Sequence, residues 1–130
     1  MSTWDDVRRL AMGLPLVEER DTEDDVLQWR VKDKLFVWER PLRQGDIAAL
    51  GESAPDGPIL AARTPDVGAK AALLADNPKV YFTTPHFDGY PAVLVRLDEI
   101  EVKELAELVV EAWLGRAPRR VAKQYLADRR

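Results

Sequence analysis

A chain of 130 residues with 46% apolar and 32% charged side chains can bury one sizeable core and lies far from the composition of disordered chains. Cysteine is absent, which excludes disulfides, thiolate metal sites and sulfur redox chemistry. The formal charge of −4 is uneven: from Arg116 onward six cations stand against Asp128 alone, so the preceding part carries −9, and a polyanion could be met only locally.

The expectation is a single domain over residues 1–130. No apolar run approaches the roughly 20 residues of a bilayer span. The opening residues lack a basic region with an apolar stretch behind it, so a cytoplasmic protein without a membrane partner is expected.

In chain order, Ser2 or Thr3 reads as an N-cap with Asp5 or Asp6 three positions on, and Trp4, Val7, Leu10, Ala11 and Leu14 repeat at helical spacing. Leu14-Pro15 ends this first helix, because the residue before proline avoids the α region. Glu18 to Asp25, acidic at Glu18, Glu19, Asp21, Glu23, Asp24 and Asp25, lacks the spacing of a calcium loop and reads as a solvated edge strand with its turn.

Val26 to Lys32 and Leu35 to Arg40 alternate as a hairpin about Asp33-Lys34. That turn would pair Val31 with Phe36, Trp29 with Trp38 and Leu27 with Arg40, placing both tryptophans in the core on one face. Pro41 to Pro58, with Gly45, Gly51, Pro55 and Gly57, reads as a long surface connection holding one short helical turn from Asp46 to Leu50.

Ile59 to Arg63 is a third strand, and Thr64-Pro65-Asp66 opens a second helix running to Asp76 with Val67, Ala71, Leu74 and Ala75 as its buried stripe. Lys79 to Thr84 and Ala92 to Leu97 are two central strands. Asp98 and Glu101 resemble a capping box before a third, long helix marked by Val102, Leu105, Leu108, Val109, Ala112 and Trp113 and closed at Gly115. A last short helix after Ala117-Pro118 turns Val121, Tyr125 and Leu126 inward and Arg119, Arg120 and Lys123 outward. This order implies an α+β two-layer sandwich: a five-stranded antiparallel sheet with helices on one face, in the order α-β(3)-α-β(2)-α.

One connection stands out chemically. Thr83 to Pro91 packs His86, Asp88, Gly89, Tyr90 and two prolines between strands. His86 and Asp88 are candidates for a ligand contact or for a structural loop in which His86 hydrogen-bonds backbone, Asp88 holds the turn and Gly89 supplies a positive φ. No nucleophile elbow, phosphate loop or metal constellation accompanies them, so no catalytic residue, metal or cofactor is expected and the protein reads as non-enzymatic.

Leu14-Pro15 with Val17-Glu18-Glu19, Lys34-Leu35-Phe36, the run from Thr84 to Pro91, Glu111-Ala112-Trp113 and Ala117-Pro118-Arg119-Arg120 together make the chain resemble the MmcQ/YjbR family over nearly its whole length. It departs from the pattern at Leu16 and Asp33, where the family pattern expects glycine, and in a longer 41–58 connection. The resemblance implies a secretion-chaperone-like two-layer fold and binding of double-stranded DNA through hairpins used as wings, and names no catalytic residue. The cations available for phosphates are Lys32 and Lys34 at the hairpin and Arg116, Arg119, Arg120 and Lys123 in the tail. The alternative is a binding or adaptor module that grips a peptide, a protein or a small molecule near His86, Asp88 and Tyr90.

Overall fold

The computed structural model describes residues 1–22 and 24–129; Glu23 of the acidic run and Arg130 of the basic tail lie outside the described residues. Helix α1 (Trp4–Met12) starts at a reciprocal capping box: Thr3 Oγ1 accepts from the Asp6 amide, and Asp6 accepts from the Thr3 amide at 2.9 Å. That amide bond holds the Asp6 carboxyl below the usual carboxylate range. Leu14 follows into the core, and Leu16 then turns the chain with φ +63°, a left-handed conformation that glycine would adopt without strain.

Strands β1 (Val17–Asp21), β2 (Leu27–Val31), β3 (Lys34–Glu39), β4 (Ile59–Arg63), β5 (Tyr81–Phe82) and β6 (Ala92–Arg96) form one antiparallel sheet in the order β1-β2-β3-β4-β6-β5. The sheet therefore has six strands where five were expected. The acidic segment supplies the sixth, pairing Val17 through Asp21 with Val31 through Leu27. Its charges suit an edge, because they discourage pairing with a further strand.

The tryptophan hairpin is the main correction. Its turn is Lys32-Asp33, with φ +50° and +67°, the pair of left-handed residues that a type I′ turn requires. Val31 pairs with Lys34 and Arg30 with Leu35, but Trp29 pairs with Val37, so Phe36 is an extra residue in a β-bulge. The bulge reverses side-chain parity beyond it. Phe36 and Val37 both enter the helix-side core with Trp29, while Trp38 packs on the opposite side of the sheet. The same-face placement of Trp29 and Trp38 fails for this reason, yet the layered architecture survives because each tryptophan finds its own apolar cluster.

Helices α2 (Gln44–Leu50), α3 (Val67–Asp76), α4 (Val102–Arg116) and α5 (Arg119–Asp128) follow, with 3-10 turns over Gly51–Ser53 and Pro85–Phe87. The 41–58 connection is thus more ordered than a surface loop. Asp66, rather than Thr64, caps α3 by accepting from the Ala69 amide at 2.8 Å. The stripe read on α3 also shifts: Val67, Ala71 and Ala75 are exposed, and Lys70 is the buried residue with Leu73 and Leu74 beside the core. Glu101 is itself the N-cap of α4, without a side-chain cap bond, and the helix runs through Gly115 to Arg116. On α5, Val121 and Tyr125 pack inward as read, whereas Leu126 is exposed.

One side of the sheet packs against α1 and α4 through Val7, Ala11, Trp29, Leu60, Val95, Leu105, Val109 and Trp113. The Trp113 indole donates to the Pro15 carbonyl at 3.0 Å, fixing the end of α4 against the turn that follows α1. The other side is not bare. Ile59, Ala61, Ala92 and Leu94 form a second, smaller core with Phe82 and Phe87, flanked by Trp38, Leu42 and Leu50. Strands β4 and β6 are apolar at successive positions and bury both faces, so helices on one face alone could not satisfy them.

Candidate ligand groove and basic end

The segment between β5 and β6 is a tied-down loop. Pro85–Phe87 forms a 3-10 turn and Gly89 sits at φ +74°, as its sequence implies. Phe87 plugs into the second core. From α3 the buried Lys70 ammonium donates to the Phe87 carbonyl and, at 3.0 Å, to the Tyr90 carbonyl. Burial pushes this amine below its ordinary value, with Asp88 partly opposing the shift.

A buried ion pair supports the loop from beneath. Arg40 Nη2 lies 3.1 Å from Asp46 Oδ2, at an angle poor for a hydrogen bond, and the Arg40 guanidinium stacks 5.4 Å from the centre of the Phe87 ring. Burial raises the Asp46 pKa, but the Arg43 amide and the Arg40 charge outweigh it and hold the carboxyl below its usual value. Asp46 also accepts from the Arg43 amide at 2.9 Å, capping α2.

His86 departs from the structural role read for it. The ring is exposed, packs edge-on against Phe87 at 5.1 Å between centroids, and makes no hydrogen bond among the described residues. Lys70, from another element, holds the turn instead of His86 or Asp88. The reason is geometric: the 3-10 turn directs the Phe87 carbonyl inward to α3 and leaves the preceding side chain outside.

Between this loop and the β2–β3 hairpin lies an open groove of about 830 Å³ whose walls include Trp38, Leu35, His86, Tyr90, Arg43 and Asp88. Aromatic surface with a few polar groups of both signs suits recognition of a small molecule or a peptide segment. Trp38 reaches this groove because of the bulge at Phe36.

Strand register places most of the candidate cations at one end of the sheet. The Lys32–Lys34 turn, the start of β1 at Val17, the end of β4 at Arg63 and the start of β6 at Ala92 lie together there. Helix α5 joins them, since Arg120 and Val121 share a cleft with Pro15 and Leu16. Lys32, Lys34, Arg119, Arg120 and Lys123 are exposed, whereas Arg116 is half-buried. The β5–β6 connection does not form a second free wing, because Lys70 and the Phe87 plug fasten it down.

Two residues at this end escaped the sequence reading. Arg63 lays its guanidinium 4.9 Å from the centre of the Tyr90 ring and donates to the Tyr90 hydroxyl at 2.7 Å. Lys70 belongs to no motif or periodic stripe in the sequence, and only its burial and its two carbonyl partners in the fold reveal its role. No group of three metal-ligating side chains occurs among the described residues, and no helix there is long and apolar enough to cross a membrane.

Fold and site together define a small α+β domain with a two-sided antiparallel sheet, a fastened loop over an aromatic groove and a basic end. The YjbR family model matches residues 12–114, and the chain belongs to that family. Uncharacterised proteins of Mycobacterium bovis and of Mycobacterium tuberculosis strain H37Rv are each 56% identical to it over 131 aligned positions, covering 98% of both chains in each comparison. The crystal structure of Deinococcus radiodurans protein DR2400, a DUF419 domain, superposes with a TM-score of 0.65 at 22% identity, covering 88% of this chain and 78% of that one. This last likeness concerns the fold.

Proposed function

We propose that the protein is a non-catalytic, cytoplasmic binder of double-stranded DNA that meets the phosphate backbone with the basic end of its sheet. The observation that carries this reading is the convergence of the Lys32–Lys34 turn, Arg63, Arg116 and α5 on one end of an otherwise acidic body. Acidic surfaces elsewhere repel the polyanion and orient the molecule toward it. The fastened β5–β6 loop leaves the β2–β3 turn as the single wing, with α5 as its counterpart.

Fluorescence anisotropy with duplex DNA at several salt concentrations tests this. Engagement of Lys32, Lys34, Arg116, Arg119, Arg120 and Lys123 gives a log–log salt slope near −5, at about −0.9 per phosphate contact. The triple variant R119Q/R120Q/K123Q then has a slope shallower by about 3. A slope near zero in the parent protein rejects the reading.

A second reading, an adaptor that grips a peptide or small molecule, is favoured by one observation: His86 is exposed at the rim of a groove whose loop wall is pinned by Lys70 to the Phe87 and Tyr90 carbonyls. Ligand-induced NMR shifts confined to Trp38, His86 and Tyr90, without DNA binding, would decide for it.

A further inference from the structure

Residues 12–16, between α1 and β1, form an apolar turn at the basic end of the sheet. Met12 is 46% and Leu16 50% exposed, and within the turn only Leu14 enters the core. Scattered exposed leucines are ordinary, but this one stands at φ +63°, a left-handed backbone that costs a leucine free energy and returns little burial here. The turn is nonetheless held fast. Leu14 anchors it below, and the Trp113 indole of α4 donates to the Pro15 carbonyl at 3.0 Å. An apolar side chain is thus kept outside, in a costly conformation, on a fixed base.

Cations flank it on two sides. The register that pairs Val17 with Val31 carries Leu16 to the end of the sheet at which Lys32 opens the β2–β3 turn. On its other side Leu16 shares a cleft of about 710 Å³ with Arg120 and Gln124 of α5 and with Arg129, the C-cap of that helix. The nearby acids are engaged within the protein: Glu18 and Asp33 both accept from Arg20, and Asp128 accepts from Gln124 at 3.0 Å.

An apolar tip between two cationic supports complements stacked base pairs lying between two phosphate backbones. An anionic membrane presents the same charge, but even a whole myristoyl chain attaches only marginally to a bilayer, and Met12 and Leu16 expose far less. Duplex DNA is the occupant that so small a tip suits.

We propose that Leu16 is a wedge that enters a base step from the minor groove and bends the duplex, while Lys32, Lys34, Arg120 and Arg129 hold the phosphates on either side. This wedge rests on the nucleic-acid reading and adds a source of sequence preference to it. Steps that unstack easily, a pyrimidine followed by a purine, cost least to open, so they are favoured although no base edge is read.

The test is bending of a duplex labelled at both ends, followed by fluorescence energy transfer, together with anisotropy at several salt concentrations, for the parent, L16A, L16G and R119Q/R120Q/K123Q. The parent should bend a duplex with one central TA step by about 20–90°. It should also bind that duplex more tightly than one with a central A-tract, which is stiff. In L16A and L16G the bend and the preference should vanish while the salt slope stays that of the parent, because the phosphate contacts remain. The triple variant should do the reverse, with a shallower slope and the duplex it does bind still bent. A fluorescent adenine analogue beside the central step should brighten when the parent binds and stay quenched with L16A.

L16G is expected to melt no lower than the parent, so its loss of bending cannot be put down to unfolding. DNA left straight by the parent, or bent equally by L16A, overturns the wedge and leaves the nucleic-acid reading standing. No DNA binding by the parent overturns both. Binding of phosphatidylserine vesicles that L16A weakens would in that case assign the tip to a membrane.

Discussion

The Lys70 ammonium donates to the Tyr90 carbonyl at 3.0 Å, so a helix packed on one side of the sheet holds the loop that closes the other. Phe87 gives a second carbonyl to the same amine. Replacing Lys70 with methionine keeps the length and removes both bonds. K70M should lower stability by about 1.5–3 kcal/mol, the range for hydrogen bonds to a charged group. Amide exchange at Tyr90 and Ala92 should also quicken, because their hydrogen bonds lie inside the loop. Unchanged exchange in K70M would show that Phe87 alone fixes the loop.

Arg40 and Asp46 are buried together under Phe87, and removing one partner strands the other charge. R40A should lower stability by about 3–5 kcal/mol, as is usual for breaking such a pair. Because the Asp46 pKa is lowered from 3.8 on folding, its stabilising contribution is present above that value and is lost as pH falls through the folded one. Denaturant unfolding between pH 3 and 7 should therefore show a smaller acid-side loss in D46N than in the parent. A parallel fall in both proteins contradicts this.

Trp29 is fully buried and Trp38 half-buried, on opposite faces. W29A should cost about 3–5 kcal/mol, the range for emptying a large core site. W38A should cost about 1–2 kcal/mol, since it mainly uncovers a groove wall. Equal losses would argue for a shared environment and against the bulge.

His86, exposed and without a hydrogen bond among the described residues, is expected to be replaceable by alanine with a stability change within about 0.5 kcal/mol. Thermal denaturation of H86A checks this, and a loss comparable to that of K70M would restore the residue to a structural role.

Leu16 sits at φ +63° with an exposed side chain, so its strain is balanced by little burial. L16G should raise stability by about 0.5–1 kcal/mol, because relief of left-handed strain exceeds the added chain entropy. L16A keeps the strain and should not stabilise. Chemical denaturation of the two variants side by side reads the difference.

Which features were legible beforehand follows from how far their causes reach along the chain. The Thr3–Asp6 capping box, the stop at Leu14-Pro15 and the positive φ at Gly89 depend on residues a few positions apart, and the sequence displays them directly. The glycine-like demand at Leu16 and Asp33 was visible as a departure from a family pattern, and both residues do take left-handed angles. The last helix with its outward cations was likewise readable from spacing.

The sequence alone therefore determined most of the helices and strands, the α+β class and the acidic body with its basic tail, because periodicity, capping and charge are properties of local chain. It misplaced Lys79 to Thr84, read as a central strand, which pairs only over Tyr81–Phe82 and at the edge of the sheet. Only the tertiary structure decided the sixth strand's pairing, the bulge that sends Trp38 away from Trp29, the burial of Lys70 and the hydrogen bond from Arg63 to the Tyr90 hydroxyl. Each of these joins segments distant in sequence. Their partners are selected by sheet register and by the need to satisfy buried charge, which no short stretch of residues specifies by itself.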